Sequence, residues 1–440
     1  MRKISLLLLS IVFAYAINIQ RDTLSNGLVI LTVEAHKLPM IEMRAVTYAG
    51  SVFDPAGKEG IANLVSQVLL RGTKSRASNE IAQAIESVGG ELFSFVDEDH
   101  AGISGRVLSK DLYLLIDLLS DCIQNPLFDS VELSRIKSEV ISQIKAEEDR
   151  PFSISKREFR RLVFSDHPLG HLPQGYDSTI GYISQGDIRE FYSQYYLPNN
   201  TFFVFVGDFQ KDSLISILDE KFGNWERKVL QKLKIEPPVE KAKPLGKIIH
   251  MDISQAYILL GNLGPKYGDA DWYETRVMNY ILGGSQSTSR MGKKIRQEKG
   301  LAYIVWVYFQ RFKTGGYFTT EVQTKKEMAN EVVQIIISEM ERIQDTIDVV
   351  ELSRAKKFYT GYFPLTHDTY REMTSIVSQI ESQGLGLDYL LQFEKLIEAV
   401  KLGELKAAAQ KYLHPDRFYL LIVGDVKPGD IKFEGIEWLE

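Results

Sequence analysis

One stretch of this sequence occurs twice, and the repetition decides the fold. Residues 195–209 read YYLPNNTFFVFVGDF, and residues 411–426 read KYLHPDRFYLLIVGDV, with their Gly-Asp pairs 217 residues apart. A second pair, VELSRIK at 131–137 and VELSRAK at 350–356, repeats at an offset of 219 residues. Because both matches keep one order and nearly one offset, the sequence predicts two copies of a domain of about 200 residues.

Each copy combines two kinds of hydrophobic pattern. Strand-like apolar runs such as TFFVFVGD at 201–208 occur beside long helical patterns such as ELSRIKSEVISQIKAEE at 132–148. This combination predicts an α+β fold in which helices cover a sheet that need not be parallel.

A stretch rich in Lys, Glu and Pro separates the two copies. Residues 225–247, WERKVLQKLKIEPPVEKAKPLGK, show no sustained apolar period, which is typical of a linker. We therefore expect an N-terminal domain at 17–228, a linker at 229–247 and a C-terminal domain at 248–440.

The first sixteen residues predict a signal peptide. A basic start, Met1 to Lys3, precedes an apolar run from Ile4 to Phe13 and the small-x-small sequence that ends at Ala16. An uncleaved membrane anchor is the alternative, but the run is shorter than the roughly 20 apolar residues of a span. We expect cleavage after Ala16, no membrane span in the mature chain, and a secreted or periplasmic protein.

The mature chain is acidic and has one cysteine. Without residues 1–16 it keeps 50 basic and 58 acidic residues, a formal charge of −8. This balance argues against a nucleic-acid partner, which would favour clustered Lys and Arg. Cys122 lies in the apolar stretch DLYLLIDLLSDCIQNPLF, so we expect a core thiol, with no intrachain disulfide and no multi-cysteine metal site.

Residues 60–73, GIANLVSQVLLRGT, predict a helix with one apolar face. Its apolar residues recur at i, i+3, i+4, i+7 and i+8: Ile61, Leu64, Val65, Val68 and Leu69. Asn63, Ser66 and Gln67 share another face, at the spacing with which His-x-x-Glu-His presents two metal ligands and a general base. The simplest interpretation of these three residues is the polar side of an amphipathic helix.

Taken together, several stretches resemble the pitrilysin and mitochondrial processing peptidase family of zinc endopeptidases, along nearly the whole mature chain. Besides the helix and the repeated strand, they are LSNGLVILT, SVGGELFSF, SEVISQIKAEEDRP and LGGSQSTSRMGKKIRQEKGLAY. The resemblance implies two tandem domains of the metallohydrolase fold, each an antiparallel-rich sheet covered by helices, in a clamshell arrangement. It also implies zinc held by His-x-x-Glu-His and a distal Glu, with the first Glu as general base.

All four of the family's zinc-site positions are changed in this chain. The first His corresponds to Asn63, the Glu to Ser66, the second His to Gln67 and the distal Glu to Gln143. Carboxamides and a hydroxyl cannot supply the three strong donors of a catalytic zinc, and no group remains to activate water. We therefore expect this chain to bind no metal cofactor itself.

Two other features of the first copy point the same way. His167 and His171 are four residues apart, but the Pro and Gly between them prevent a shared helix face, so we do not expect a functional metal site there. Family members carry an Asn-Ala pair on the strand that holds substrate by strand addition. Phe93 and Ser94 stand there in this chain, so the polar anchor is missing.

The second copy keeps more of the family's features. LGGSQSTSR resembles the glycine-rich loop, with Gly283 and Gly284 able to take backbone conformations closed to other residues. Arg296 is expected in the last turn of a helix that Gly300 ends, and Tyr303 on the following strand. The resemblance implies that this pair holds the peptide and stabilises the oxyanion above zinc. The alternative is an Arg that offsets a helix C-terminus and a half-buried Tyr.

This combination resembles the non-catalytic member of heterodimeric processing-type peptidases, in which the other subunit brings the zinc. We expect a homologous zinc-bearing subunit as partner and a peptide substrate in a shared cavity. The main alternative is a structural or peptide-binding scaffold of the same fold, which has no need for Arg296 and Tyr303. A self-sufficient peptidase ranks last, because no Ser, His and acid constellation can be assigned.

Overall fold

The fold is that of a computed structural model, which describes residues 17–230 and 233–439. The predicted signal peptide lies outside the described residues. The strands are β1 Gln20–Thr23, β2 Val29–Glu34, β3 Met40–Thr47, β4 Glu91–Val96, β5 Ala101–Leu108, β6 Thr201–Gly207, β7 Leu245–Ile249, β8 Gln255–Leu263, β9 Ala302–Arg311, β10 Gly316–Lys325, β11 Tyr419–Val423 and β12 Glu437–Leu439.

Helices occupy most of the remaining described chain. They are α1 Ile61–Val68, α2 Ser78–Glu86, α3 Leu112–Gln124, α4 Ser130–Glu148, α5 Pro151–Phe164, α6 Asp177–Ile180, α7 Gln185–Tyr195, α8 Lys211–Phe222, α9 Trp272–Asn279, α10 Ala329–Asp345, α11 Val349–Tyr362, α12 Tyr370–Gln383, α13 Tyr389–Ala399 and α14 Leu402–Tyr412. None of those described has the length and apolar character that crossing a membrane requires.

The strands form two six-stranded sheets with the same internal order. Sheet 1 runs β1-β2-β6-β3-β5-β4, and sheet 2 runs β12-β7-β11-β8-β10-β9. In both sheets the second and third strands pair in parallel and the last three pairings are antiparallel. The predicted α+β fold of two homologous, antiparallel-rich domains is therefore confirmed.

The repeated stretch forms β6 and β11, which lie inside the two sheets. Every residue of both strands is buried. Strand β6 ends at Gly207 and β11 is followed by Gly424, the glycines of the repeated Gly-Asp pairs, whose φ angles are +144° and +153°. A Cβ at Gly207 would lie 2.2 Å from the carbonyl oxygen of Met40, so the neighbouring strand also requires glycine there.

Each half contributes one helix that packs on the sheet of the other half. Helix α12, from the second half, packs on β3 and β6 of sheet 1, and its Val377 shares a core with Val204. Helix α5, from the first half, packs on β8 and β11 of sheet 2, where Phe159 shares a core with Leu421. Neither core is complete without the other half.

The segment between α8 and β7 contains no helix or strand in its described residues, 223–230 and 233–244. It is attached to both halves by hydrogen bonds. The carbonyl oxygen of Glu236 contacts Nε2 of His167, and the amide of Lys241 donates to the hydroxyl of Tyr419. Strand β7 begins at Leu245, inside the stretch that the sequence assigns to the linker.

Truncating a buried side chain of α5, which packs on the sheet of the other half, should destabilise the whole chain. Phe159 on α5 is 2% exposed, so Phe159→Ala should lower the free energy of unfolding by about 3–5 kcal/mol. Phe152→Ala on the same helix is the matched control, because that ring is 48% exposed and its loss should cost less than about 1 kcal/mol. Urea unfolding followed by circular dichroism measures both, and equal costs would contradict the exchanged packing.

A buried carboxyl where the two halves meet should make stability depend on pH. Asp99 lies in the β4–β5 turn, accepts a hydrogen bond from the amide of Lys313 in the β9–β10 turn at 3.0 Å, and is buried. Burial raises the pKa of Asp99 to about 6, so the folded state holds this proton more tightly than the unfolded state does. Its stabilising contribution is complete below about pH 4 and is lost as the pH rises through 6.

Replacing this carboxyl isolates its effect from the other groups that titrate nearby. Between pH 4 and 7.5, wild type should lose about 3 kcal/mol of stability relative to Asp99→Asn, which keeps an acceptor but cannot ionise. Urea unfolding of the two proteins at several pH values measures the difference, in which the contributions that both proteins share largely cancel. Parallel stability curves would show that Asp99 keeps an ordinary pKa.

Candidate functional site

The start of helix α1 is fixed by a buried pair from distant parts of the chain. The carboxylate of Asp54 accepts hydrogen bonds from the amides of Gly60 and Ala62, at 2.6 and 3.0 Å. Nε2 of His171 lies 3.1 Å from the same carboxylate. Burial raises the pKa of Asp54, while its bond to His171 acts in the opposite direction. This pair was not predicted from the sequence, because Asp54 precedes the helical pattern and His171 is 117 residues away.

The polar side of α1 faces protein and not solvent. The hydroxyl of Ser66 donates to the carbonyl oxygen of Phe95 on β4 at 2.8 Å, and Nε2 of Gln67 donates to Oδ1 of Asn63 at 2.9 Å. Asn63 and Ser66 are buried, and Gln67 is half-buried. The residue at the family's general-base position therefore attaches helix α1 to strand β4.

The side chains at the zinc positions do not fit a catalytic zinc ion. Gln143 lies on α4, which packs against α1, and its side chain is exposed. With Asn63 and Gln67 it offers only amide groups, and two of these three amides already bond to each other. Across residues 17–230 and 233–439, no three His, Cys, Asp or Glu side chains converge on a point that could hold a metal.

The two histidines of HPLGH face different partners. His167 and His171 flank a 3₁₀ turn, Pro168–Gly170. Nδ1 of His167 accepts from the amide of Leu169, whereas His171 contacts Asp54. The ring nitrogens of these two histidines therefore contact different groups.

Strand β4 is an outer strand of sheet 1, which leaves one of its edges unpaired with any other described strand. Phe93 lies on this strand with a partly exposed ring, and Ser94 points toward the opposite face of the sheet. An edge suited to strand addition is therefore present, but its exposed side chain at this point is aromatic and not an amide.

Arg296 and Tyr303 are brought together at the start of β9. Arg296 lies in a helical turn, Gly292–Glu298, which Gly300 ends with a φ of +62°. Its Cζ atom lies 5.6 Å from the centre of the Tyr303 ring, which is a cation–π contact. Tyr303 is 80% exposed, so the half-buried tyrosine of the alternative interpretation is wrong. Arg296 is half-buried.

The glycine-rich loop has a different structural basis from the one expected. Gly283 and Gly284 lie in a π-helical turn, Tyr280–Gly284, and neither has a positive φ. Gly283 is buried, and a Cβ there would lie 2.0 Å from Cγ2 of Val307. The expectation of special backbone conformations at these two glycines was wrong, because close packing on β9 is what requires Gly283.

This close packing lets the loop cover part of the outer edge of β9. Nε2 of Gln286 donates to the carbonyl oxygen of Val305 at 2.7 Å, and the amide of Val305 donates to Oε1 of Gln286 at 3.3 Å. Nδ2 of Asn279 donates to the carbonyl oxygen of Val307 at 3.0 Å. These side chains fix the strand that carries Tyr303. Gln286 lies within the glycine-rich loop identified from the sequence, but no role was predicted for it because its partner is backbone.

Two family models match the chain. The model described as insulinase (peptidase family M16) matches residues 29–171, and the model described as peptidase M16 inactive domain matches residues 182–359. A protein of Rickettsia bellii, described as an uncharacterized zinc protease, is 24% identical over 417 residues, which cover 94% of this chain and 93% of that protein. An uncharacterized zinc protease of Bacillus subtilis is 26% identical over 79% of this chain and 84% of its own length.

Solved structures share the fold over nearly the whole chain. The crystal structure of a peptidase M16 inactive domain from Pseudomonas fluorescens has a TM-score of 0.86 and 25% identity, covering 96% of this chain and 100% of that one. A protease from Helicobacter pylori has a TM-score of 0.86 and 18% identity, covering 94% and 100%. The two-sheet architecture described above is thus shared with both.

The hydrogen bond from Ser66 to β4 should prevent a simple return of the general base. Ser66→Glu places a carboxylate against the carbonyl oxygen of Phe95 in a buried position, where both groups can only accept. We expect a loss of about 3 kcal/mol or more in the free energy of unfolding. Ser66→Ala, the control, should cost about 1–2 kcal/mol through the lost hydrogen bond alone. Chemical denaturation measures both, and an equally stable Glu variant would contradict this packing.

Proposed function

We propose that this chain, which belongs to the insulinase (M16) peptidase family, is the non-catalytic, substrate-binding subunit of a heterodimeric zinc endopeptidase that processes or degrades peptides or proteins. The observation that supports the proposal most directly is the pairing of Arg296 with an exposed Tyr303, on a chain whose zinc positions hold amides and a hydroxyl. The partner is a homologous subunit that carries the intact zinc motif.

The distribution of polar groups in the two halves supports this division of labour. In the first half, Asn63 and Gln67 bond to each other and Ser66 bonds to Phe95, so the former metal site is used for structure. In the second half, Arg296 has no hydrogen bond or ion pair with another described residue, and the Tyr303 hydroxyl is accessible. A guanidinium without a polar protein partner and an exposed phenol are groups that a substrate can use.

Arg296 and Tyr303 are suited to stabilise negative charge on a substrate. A guanidinium presents several donors in a fixed plane, and the Tyr303 ring restricts where that plane lies. The contacts of Gln286 with Val305 hold β9, so the hydroxyl of Tyr303 is carried on a fixed strand. Donors that are already in place stabilise a developing oxyanion without the cost of reorganisation. In the proposed heterodimer, that oxyanion forms at the partner's zinc.

A second candidate is a peptide-binding scaffold without any peptidase role. The unpaired edge of β4, with the partly exposed ring of Phe93, favours this possibility, because an extended peptide can add to such an edge. The two candidates differ in what they require of Arg296 and Tyr303.

We further propose that the protein is secreted or periplasmic, on the basis of the signal-peptide pattern of residues 1–16.

Removing either donor should lower turnover by the assembled enzyme. With the zinc-bearing partner co-expressed, Arg296→Ala or Tyr303→Phe should reduce kcat/KM by about 10²-fold to 10³-fold, the usual cost of one preorganised oxyanion donor. Assembly, measured by size-exclusion chromatography, should not change. Matched controls are Tyr182→Phe, at an exposed tyrosine of the first half, and Arg135→Ala, at an exposed arginine on α4.

Three results would contradict the proposal. If both variants turn over substrate like wild type in fully assembled complexes, the scaffold is favoured. If they instead lower the melting temperature and leave activity per folded complex unchanged, the pair is structural. If the purified chain alone cleaves peptides and contains about one zinc that a chelator removes together with the activity, it is itself a catalytic subunit.

A further inference from the structure

A cavity of about 320 Å³ lies between the two halves, away from Arg296 and Tyr303. The first half contributes residues of β3, β4 and the turn after β4, and the second half contributes residues of β9, α12 and the start of α9. The volume is within the range of cavities that bind small molecules, at its lower end. No part of the proposed peptidase function uses this cavity.

Two arginines line the cavity, and their partners are neutral. The guanidinium of Arg44 stacks 3.8 Å from the centre of the Phe95 ring, and its Nε atom is buried with no hydrogen-bond partner in the described part of the chain. Arg311 is only 9% exposed; it stacks 3.4 Å from the centre of a Trp272 ring and donates to Oε1 of Gln383 at 3.0 Å. Neither guanidinium forms an ion pair with a described carboxylate.

The one carboxylate among the described lining residues already has hydrogen-bond partners of its own. Asp97 lines the cavity, but its Oδ1 atom accepts from the amides of Asp99 and His100 and also contacts Nδ1 of His100. Burial lowers the pKa of Arg44, and it lowers the pKa of Arg311 to about 10. The charge of Asp97 partly offsets the effect of burial on the pKa of Arg44, without forming an ion pair with it. Cations that are desolvated without an ion-paired carboxylate reduce stability, and proteins keep such costs chiefly where a ligand repays them.

The rest of the lining is suited to a flat apolar body. Rings of Phe95, Tyr267, Trp272 and Phe309 form much of the wall, and the amides of Gln310 and Gln379 add neutral hydrogen-bonding groups. We propose that this cavity binds a small organic anion, whose carboxylate or phosphate is held by Arg44 and Arg311 and whose apolar part lies between the aromatic rings. The anion is either a free metabolite-sized molecule or the C-terminal carboxylate of a peptide.

Binding can be tested with the mature chain alone, so the result does not depend on the proposed peptidase partner. The probes are 3-phenylpropionate and phenyl phosphate, with 3-phenylpropan-1-ol as the neutral analogue, and the tripeptide Gly-Gly-Phe with a free or an amidated C-terminus. Isothermal titration calorimetry and thermal denaturation measure affinity and stabilisation. We expect the anionic probes to bind and to raise the melting temperature, and the neutral analogues to do neither. Binding by the free tripeptide only would identify a peptide C-terminus as the source, and binding by the small anions only would identify a free molecule.

Three variants test the site itself. Arg44→Gln and Arg311→Gln should each weaken binding of the anionic probes about 10-fold to 100-fold, the usual effect of losing charge-assisted hydrogen bonds. Ser382→Phe should abolish binding by filling the cavity, without removing either arginine. Arg135→Gln, on the exposed face of α4, should leave binding unchanged.

Stability separates a binding role from a structural one. Without ligand, Arg44→Gln should leave the melting temperature unchanged or raise it, because a desolvated charge is removed. If no anionic probe binds at millimolar concentration, or if the Arg44, Arg311 and Ser382 variants bind like wild type, the proposal is wrong. If Arg44→Gln or Arg311→Gln fails to fold, binding by Ser382→Phe is compared with that of wild type. Loss of binding by Ser382→Phe would then support the cavity as the site.

Discussion

The central strands β6 and β11 are buried on both faces, and the rest of the molecule depends on covering them. In β6, Phe203 and Phe205 face the helices of their own half, whereas Phe202, Val204 and Val206 face α12 of the other half. In β11 the same division holds, with α5 on one face and the helices of the second half on the other. Each central strand therefore needs a helix from the other half to cover one of its faces, so the two halves are held together by this packing as well as by the linker.

The sequence predicts the sheets better than it predicts what covers them. The repeat identifies β6 and β11, because a strand buried on both faces needs a continuous apolar run, and such a run is present in both copies. A helical period can indicate that one face of a helix such as α5 is buried, but it carries no information about which sheet that face meets. The exchange of α5 and α12 was therefore not predictable from the pattern.

The candidate site shows the same limit at the level of single residues. The changed metal positions were assigned from the family resemblance; three of them lie on one local helical stretch, and the contact of Gln67 with Asn63 is local too. The buried carboxylate of Asp54 and its partner His171 were missed, since they come together only in the folded chain. At Gly283 the expected backbone reason was wrong: the sequence shows a missing side chain, and only the packing shows that Val307 fills the space.

The exchanged helices also bear on how such a chain can originate. One copy of the domain on its own would leave an apolar sheet face without its covering helix. Two separate copies could cover one another by trading α5 for α12, which is the arrangement of a domain-swapped dimer with two-fold symmetry. Joining the copies in one chain makes the trade intramolecular, so that it no longer depends on protein concentration. Each half can then change its residues independently of the other, provided that the helix it contributes still covers the other half's sheet.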